Sequence, residues 1–148
     1  RRLLFLGDAG HGEAEDRLNG FHDGLAGSDA ALVANIPCAF TLAAGREAVV
    51  PLLGGGEPGF DGIFASSDAI AMGAIEALQA RGHRVPDDVS VVGFDDSPGA
   101  ALFSPRLTSI RQDWGIGGEL LAQKVLDLVA GKAVESRAMP VALIVRDS

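Results

Sequence analysis

Two adjacent carboxylates, Asp95 and Asp96, are the first candidates for chemistry in this sequence. They follow the β-branched residues Val89, Val91 and Val92, which predict a buried strand, and Gly93, which lets another group approach the strand closely. In an open α/β sheet, ligands bind outside the carboxyl ends of the strands, so a carboxylate there is a candidate ligand contact. Asp also favours turns, and Ser97-Pro98 follow at once, so a simple turn is an equally good interpretation.

A glycine-rich loop, Gly7-x-x-Gly10-x-Gly12, lies between a predicted strand and a predicted helix, where a phosphate-binding loop would lie. Its spacing is not the G-x-G-x-x-G of dinucleotide-binding proteins, and the chain has no G-K-[ST] of a P-loop. The next predicted strand also ends without the acidic residue that binds ribose. A glycine-rich turn is the better interpretation, and a dinucleotide-dependent enzyme is kept only as an alternative.

Nucleophilic and metal-dependent catalysis find little support in the residue pattern. Ser66 and Ser67 lie outside any G-x-S-x-G setting and precede a predicted helix, so helix capping explains both. The sequence has one cysteine, Cys38, and its three histidines show no metal-ligand spacing. The prediction is therefore a protein that is not an enzyme and that has neither a metal site nor a cofactor.

Composition predicts one acidic domain with a real core. The 148 residues are 47% hydrophobic and carry a formal net charge of -8. Because negative charge opposes binding to phosphate backbones, we do not expect this stretch to hold nucleic acid by itself. No apolar run approaches the ~20 residues of a membrane span, and the N-terminus does not resemble a signal peptide. We expect a cytoplasmic location, no membrane partner, and a chain that is a piece of something longer.

Hydrophobic periodicity predicts alternating strands and helices. This βαβαβαβ order is typical of a parallel sheet with helices on both faces, so the predicted fold class is α/β. The order changes near the end, where an extended segment, an amphipathic helix and a last strand follow. The predicted strands are 3–6, 31–34, 63–65, 89–94 and 141–145, the extended segment is 105–110, and the predicted helices are 13–25, 41–53, 68–81 and 116–130.

Several motifs, in order and at family-like spacing, resemble the lac/galactose repressor family of bacterial transcription regulators. They are Arg17-Leu18-Asn19-Gly20-Phe21 and the runs 64–74, 82–96 and 104–112. The resemblance covers nearly all of the chain. It implies a periplasmic-binding-protein-like (type I) lobe, which is a parallel sheet flanked by helices.

The resemblance also implies a domain organisation. In the family, two α/β lobes enclose an effector cleft, and a helix-turn-helix headpiece before them binds operator DNA. Residues 1–110 resemble the C-terminal lobe of the effector-binding domain. Residues 111–138 resemble a crossing segment and a helix that belongs to the N-terminal lobe, and residues 139–148 resemble a strand that returns to the C-terminal lobe. The headpiece and most of the N-terminal lobe are absent from this chain.

Carried over residue by residue, the resemblance implies effector contacts at Arg17, Phe40, Ser67, Asp95 and Trp114. A sugar suits these side chains, because a carboxylate accepts from two hydroxyls, a guanidinium donates, and an aromatic ring covers the apolar face of a pyranose. Position 67 departs from the family pattern, which usually has Asn there, and this leaves the effector's identity open.

Three of these residues also have ordinary structural interpretations. Arg17 could pair with Glu13 one helical turn away on a solvated face. Phe40 and Trp114 could be core aromatic residues.

The leading functional hypothesis is the effector-binding domain of a DNA-binding transcription regulator. Its small-molecule effector, a sugar, would control operator binding allosterically in a homodimer. The helix 68–78 and the loop 97–103 are candidates for the dimer surface, with ordinary packing inside the lobe as the alternative. The alternative function is an exported sugar-binding protein of a transport system, which shares the fold.

Overall fold

Residues 1–8, 10 and 12–148, which the computed structural model describes, form six strands and five α-helices. The predicted α/β class is confirmed, whereas the short helix α4 was not predicted. In that part of the chain, no helix combines the length and the apolar character needed to cross a bilayer. The strands are β1 (Arg2–Leu6), β2 (Ala31–Ile36), β3 (Gly62–Ala65), β4 (Ser90–Asp95), β5 (Thr108–Gln112) and β6 (Val141–Ile144). The helices are α1 (Gly12–Leu25), α2 (Leu42–Val49), α3 (Asp68–Ala80), α4 (Pro98–Leu102) and α5 (Trp114–Val129), and a 3-10 turn at Val50–Leu52 follows α2.

The strands form one sheet in the order β2-β1-β3-β4-β5-β6. The first five are parallel, and β6 is antiparallel to β5. Because parallel strands share a direction, the segments that follow β1 to β5 all begin at the same edge of the sheet. Each residue of the predicted effector site follows, or ends, a different one of these strands.

Alternate residues of the strands face opposite layers, as the period of two requires. Leu4, Ile63 and Val91 are at most 3% exposed and belong to the core cluster that also includes α3 residues. Phe5 and Phe64 point to the other face, where both rings contact Phe21 of α1 at centroid distances of 6.1 and 5.5 Å. Beside α1 this second face has an apolar groove of about 730 Å³.

The α2–α3 contact depends on glycine. A Cβ on Gly73 would overlap the carbonyl oxygen of Leu42, and a Cβ on Gly45 would overlap that of Ile70. Helix α3 therefore packs closely against α2 of the same lobe. For this face of α3, packing inside the lobe accounts for the pattern without a second copy of the chain.

Some element ends differ from the predictions for local reasons. Helix α2, predicted to reach residue 53, ends at Val49 and continues as the 3-10 turn that contains Pro51, because proline has no backbone N–H to continue an α-helix. Helix α5 begins two residues earlier than predicted, because the Asp113 carboxylate accepts a hydrogen bond from the Ile116 backbone N–H at 3.0 Å. Strand β4 reaches Asp95, which places that carboxylate at the edge of the sheet itself.

Helix α5 leaves its apolar side open. Leu121, Leu128 and Val129 are 67%, 61% and 83% exposed, and only Gly117 is buried in this helix. The amphipathic pattern predicted from the sequence is therefore present without a covering layer in the described part of the chain.

Replacing Gly73 with Ala should destabilise the fold. The better helix propensity of Ala contributes about 1 kcal/mol at most, whereas forcing a methyl group against the α2 backbone costs about 2–3 kcal/mol. Urea unfolding followed by circular dichroism measures the difference. Gly20→Ala in α1 is the matched control, because its Cβ meets nothing within 4 Å and should leave stability unchanged or higher. Equal stability of Gly73→Ala and the wild type would contradict the packing described.

Candidate ligand-binding site

Asp95 lies half-buried at the carboxyl end of β4, in an unusual backbone conformation. Its φ is 108° and that of Asp96 is 50°, so two consecutive non-glycine residues have positive φ. Such conformations cost about 1–3 kcal/mol each and persist where the surroundings fix them. The chain does turn here, as the turn interpretation predicts, and strained residues of this kind are frequent at functional sites.

The charge of Asp95 is costly in this environment. Burial raises the pKa of the Asp95 carboxyl above its usual range; the nearby Arg17 charge opposes this shift, and the Asp68 charge adds to it. Gln112 of β5 donates from Nε2 to Asp95 Oδ1 at 3.4 Å. A ligand that donates hydroxyl hydrogen bonds would stabilise the charged form, so this carboxylate is well suited to bind a polyol.

Arg17 connects α1 to the carboxyl ends of β3 and β4. Its Nη1 donates to the Ser66 carbonyl oxygen at 2.5 Å, and its guanidinium carbon lies 3.9 Å from the centroid of the Phe94 ring. The side chain is thus directed at the sheet edge. These contacts differ from the alternative interpretation, in which Arg17 would pair with Glu13 on a solvated face. A guanidinium has five N–H donors, so Arg17 can donate to Ser66 and to a ligand at the same time.

The two serines before α3 have different roles. Ser67 Oγ accepts from the Ile70 backbone N–H at 3.4 Å, so its predicted capping role is present. The residue is only 4% exposed, so its hydroxyl is hardly accessible to solvent. The capping prediction is wrong for Ser66, whose buried Oγ has no hydrogen-bond partner among the described residues.

The aromatic residues of the predicted site lie at the same edge but are not core. Phe40 lies between β2 and α2 and is 37% exposed, and Trp114 is the first residue of α5 and is 66% exposed. Their interpretation as core residues is wrong for this chain. The recorded contacts join Arg17 to the ends of β3 and β4, whereas the roles of Phe40 and Trp114 stay predictions.

The described residues of the glycine-rich loop form a turn. The Gly10 N–H donates to Asp8 Oδ1 at 2.8 Å, a local bond typical of turns. Gly7 allows Ser66 to approach, because a Cβ at Gly7 would overlap Ser66 Oγ. Ala9 and His11, which belong to the predicted loop, lie outside the described residues.

Asp68 is the residue at this edge that sequence reasoning missed. It is 2% exposed; its Oδ2 accepts from the Ser97 backbone N–H at 2.6 Å and its Oδ1 from the Ser109 hydroxyl at 2.5 Å. The cap chemistry predicted for the run 66–68 belongs to Ser67, not to Asp68. Gly93 was the available signal, because a Cβ there would overlap Asp68 Oδ1.

Asp96 forms a buried ion cluster with two arginines. Its carboxylate is 4% exposed and accepts from Arg111 Nε at 2.6 Å and from an Arg146 terminal nitrogen at 2.5 Å. Burial by itself raises the pKa of Asp96, but the hydrogen bonds and charges of Arg146 and Arg111 outweigh it and hold the pKa below its usual range. Asp96 therefore joins β4 to β5 and to the segment after β6, and Asp95 is the member of the pair that suits a ligand.

Asp96→Asn should destabilise the protein by about 3 kcal/mol at pH 7, because it removes a buried charge that the half-buried Arg146 and the exposed Arg111 share. Since the folded pKa of Asp96 is depressed, its contribution is present above the unfolded value near ~4 and is lost as pH falls through the folded pKa. Urea unfolding of variant and wild type should therefore converge below about pH 4.

The control for this substitution is Asp147→Asn. Asp147 makes a similar pair with Arg106 at 2.7 Å, but both side chains are exposed, so little change is expected. If the two variants lose the same free energy of unfolding at pH 7, the cluster around Asp96 stabilises the protein no more than an exposed ion pair does.

Comparison with known proteins agrees with this architecture. The family model of the periplasmic binding protein-like domain matches residues 1–148. The HTH-type transcriptional regulator GntR of Pseudomonas aeruginosa is 37% identical over 142 residues, which are 94% of this chain and 41% of that protein. The Lac repressor dimer bound to operator and the anti-inducer ONPF superposes with a TM-score of 0.90 at 30% identity, over 99% of this chain and 51% of that one. The complex of the regulator CelR with cellobiose gives a TM-score of 0.85 at 30% identity, over 100% of this chain and 46% of that one.

A parallel sheet with an antiparallel last strand and a polar site at its carboxyl edge defines a periplasmic-binding-protein-like lobe. The chain belongs to the periplasmic binding protein-like domains of the lac/galactose repressor family, so the resemblance stated from its motifs is confirmed. It spans about half, or less, of the length of the relatives it matches.

Proposed function

We propose that this chain is the effector-binding part of a bacterial transcription regulator and that its effector is a sugar. The observation that carries the proposal is the pairing of a half-buried acceptor, Asp95, with a fixed donor, Arg17, at the carboxyl edge of the sheet. Adjacent sugar hydroxyls need both kinds of group within a few ångströms of each other. The complex of the relative CelR with cellobiose supports the same class of ligand.

The site residues act as a binding set. Asp95 accepts from two hydroxyls, Arg17 donates to a hydroxyl or ring oxygen, and Trp114 and Phe40 cover the apolar face of the sugar ring. Ser67 keeps α3 capped and would supply less hydrogen-bonding capacity to a ligand than an amide. The protein binds its effector without converting it, so it is not an enzyme.

The exposed apolar side of α5 supports the two-lobe organisation. A helix with Leu121, Leu128 and Val129 this exposed needs a covering partner. Residues 111–138 contain the crossing segment, which begins within β5, and α5, and we assign α5 to the N-terminal lobe. Residues 1–110 and 139–148 form the lobe described above. An effector bound between the lobes favours one arrangement of them, a coupling that is typically ~1–3 kcal/mol.

DNA binding belongs to a headpiece outside this chain. The net charge of -8 does not favour contact with phosphates, whereas the relative Lac repressor is seen as a dimer bound to its operator. The regulator acts in the cytoplasm as a homodimer. Leu102 of α4, which is 86% exposed in the segment 97–103, is a candidate for the dimer surface.

A thermal-shift screen tests the effector assignment. Cellobiose, sucrose, D-galactose, D-glucose and D-ribose are added to the protein; a sugar at about 100 times its dissociation constant stabilises by ~2.7 kcal/mol, which raises the melting temperature by roughly 5–10 °C. Asp95→Asn should weaken binding of the active sugar roughly 10- to 100-fold, because it removes a charged acceptor.

Asp87→Asn is the matched control for this experiment. Asp87 is an exposed carboxylate that precedes β4 and pairs with Arg84, at the opposite edge of the sheet, so the sugar response should be retained. A response that survives Asp95→Asn unchanged would show that the sugar binds elsewhere.

The regulatory part of the proposal is tested with the complete gene product and a fluorescent DNA fragment from its own promoter region. The active sugar should change DNA affinity by roughly 5- to 150-fold, the range of ordinary allosteric coupling, and Asp95→Asn should remove most of that change. Fluorescence anisotropy measures both. A gene product that binds sugar in the periplasm and ignores DNA would instead be a transport component.

A further inference from the structure

We propose that Asp68 is a positioning residue of the effector site: its buried carboxylate holds the turn after β4 in the conformation that presents Asp95. The inference rests on the proposed role of Asp95 as a ligand contact. Asp68 itself is 2% exposed and has no access to a ligand, so its influence passes through the backbone.

The turn is held by the two backbone N–H groups that follow Asp95. The Ser97 N–H donates directly to Asp68 Oδ2 at 2.6 Å. The Asp96 N–H donates to Ser109 Oγ at 3.0 Å, and that hydroxyl donates in turn to Asp68 Oδ1 at 2.5 Å. One carboxylate thus fixes both amides, the first directly and the second through a hydroxyl.

These hydrogen bonds hold the segment in which the backbone conformation is strained. Asp95 and Asp96 have positive φ values, which a side chain disfavours, so without outside support the segment would relax to another turn. Asp68 is suited to provide that support, because it is the first residue of α3 and the N-terminus of a helix stabilises a negative charge.

The sheet makes room for this carboxylate. Gly93, two residues before Asp95 on the same strand, has no side chain at the place that Asp68 Oδ1 occupies. The space for this carboxylate is provided by a glycine. Its Oδ2 is hydrogen-bonded to the turn directly and its Oδ1 through the Ser109 hydroxyl, so it is a built feature of the strand end.

Asp68 also acts on Asp95 through charge. The groups that face the Asp95 carboxyl are Arg17 and Glu13 of α1, Asp68 of α3 and Gln112 of β5. Asp68 and Glu13 raise the pKa of Asp95, whereas Arg17 and Gln112 lower it. Removal of the Asp68 charge should therefore lower the pKa of Asp95, in the same direction as any exposure of the carboxyl that a loosened turn allows.

The test is Asp68→Asn, followed by NMR without any sugar. Amide hydrogen exchange at Asp96 and Ser97 should accelerate roughly 10- to 100-fold, the factor expected for loss of a hydrogen bond to a charged acceptor. Exchange in β1 and β3 should stay as in the wild type, and the carboxyl ¹³C titration of Asp95 should move to lower pH. Asp88→Asn is the matched control, because Asp88 also accepts a backbone N–H, from Arg84, but lies before β4.

A second variant covers the case in which Asp68→Asn does not fold. Ser109→Ala keeps the carboxylate and removes only the hydroxyl, so exchange should accelerate at Asp96 and stay slow at Ser97. Unchanged exchange at both amides, or acceleration spread evenly over the sheet, would overturn the proposal. A sugar screen without a hit would remove the effector assignment and leave the positioning of Asp95 standing, so the two failures are distinguishable.

Discussion

The buried carboxylate of Asp68 joins three segments that are distant in sequence. It begins α3, accepts from the backbone after β4, and accepts from the Ser109 hydroxyl of β5. One of these segments is the strained turn after Asp95, so the proposed geometry of the candidate site depends on this carboxylate. A buried charge of this kind is stable only when both oxygens are satisfied, and here each has a short hydrogen bond.

The neighbouring acids Asp95 and Asp96 show how environment divides the roles of identical side chains. Asp96 is surrounded by Arg111 and Arg146, which lower its pKa and commit it to structure. Asp95 has a raised pKa, because burial is only partly compensated by Arg17 and Gln112. Its demand for hydrogen-bond donors is one that a polyhydroxylated ligand can satisfy.

Local sequence signals predicted a large part of this structure. The alternation of strands and helices, the Ser67 cap and the carboxylate at the end of β4 all follow from patterns within a few residues. The Asp68 and Asp96 clusters could not be predicted in this way, because their partners lie between 15 and 50 residues away in the chain. Gly93 was a partial signal, since it showed that something approaches the strand without showing what. The proposed contributions of Phe40 and Trp114 would depend on ring contacts with a ligand, which local periodicity does not specify.

The most direct test of the account is a crystal structure of the protein with the sugar that stabilises it most. The account predicts that the Asp95 carboxylate lies within about 3 Å of two neighbouring hydroxyls and that the Arg17 guanidinium donates to the same sugar. A sugar bound away from Asp95, for example in the apolar groove beside α1, would contradict the account, since the strained turn after β4 would then have no part in recognition.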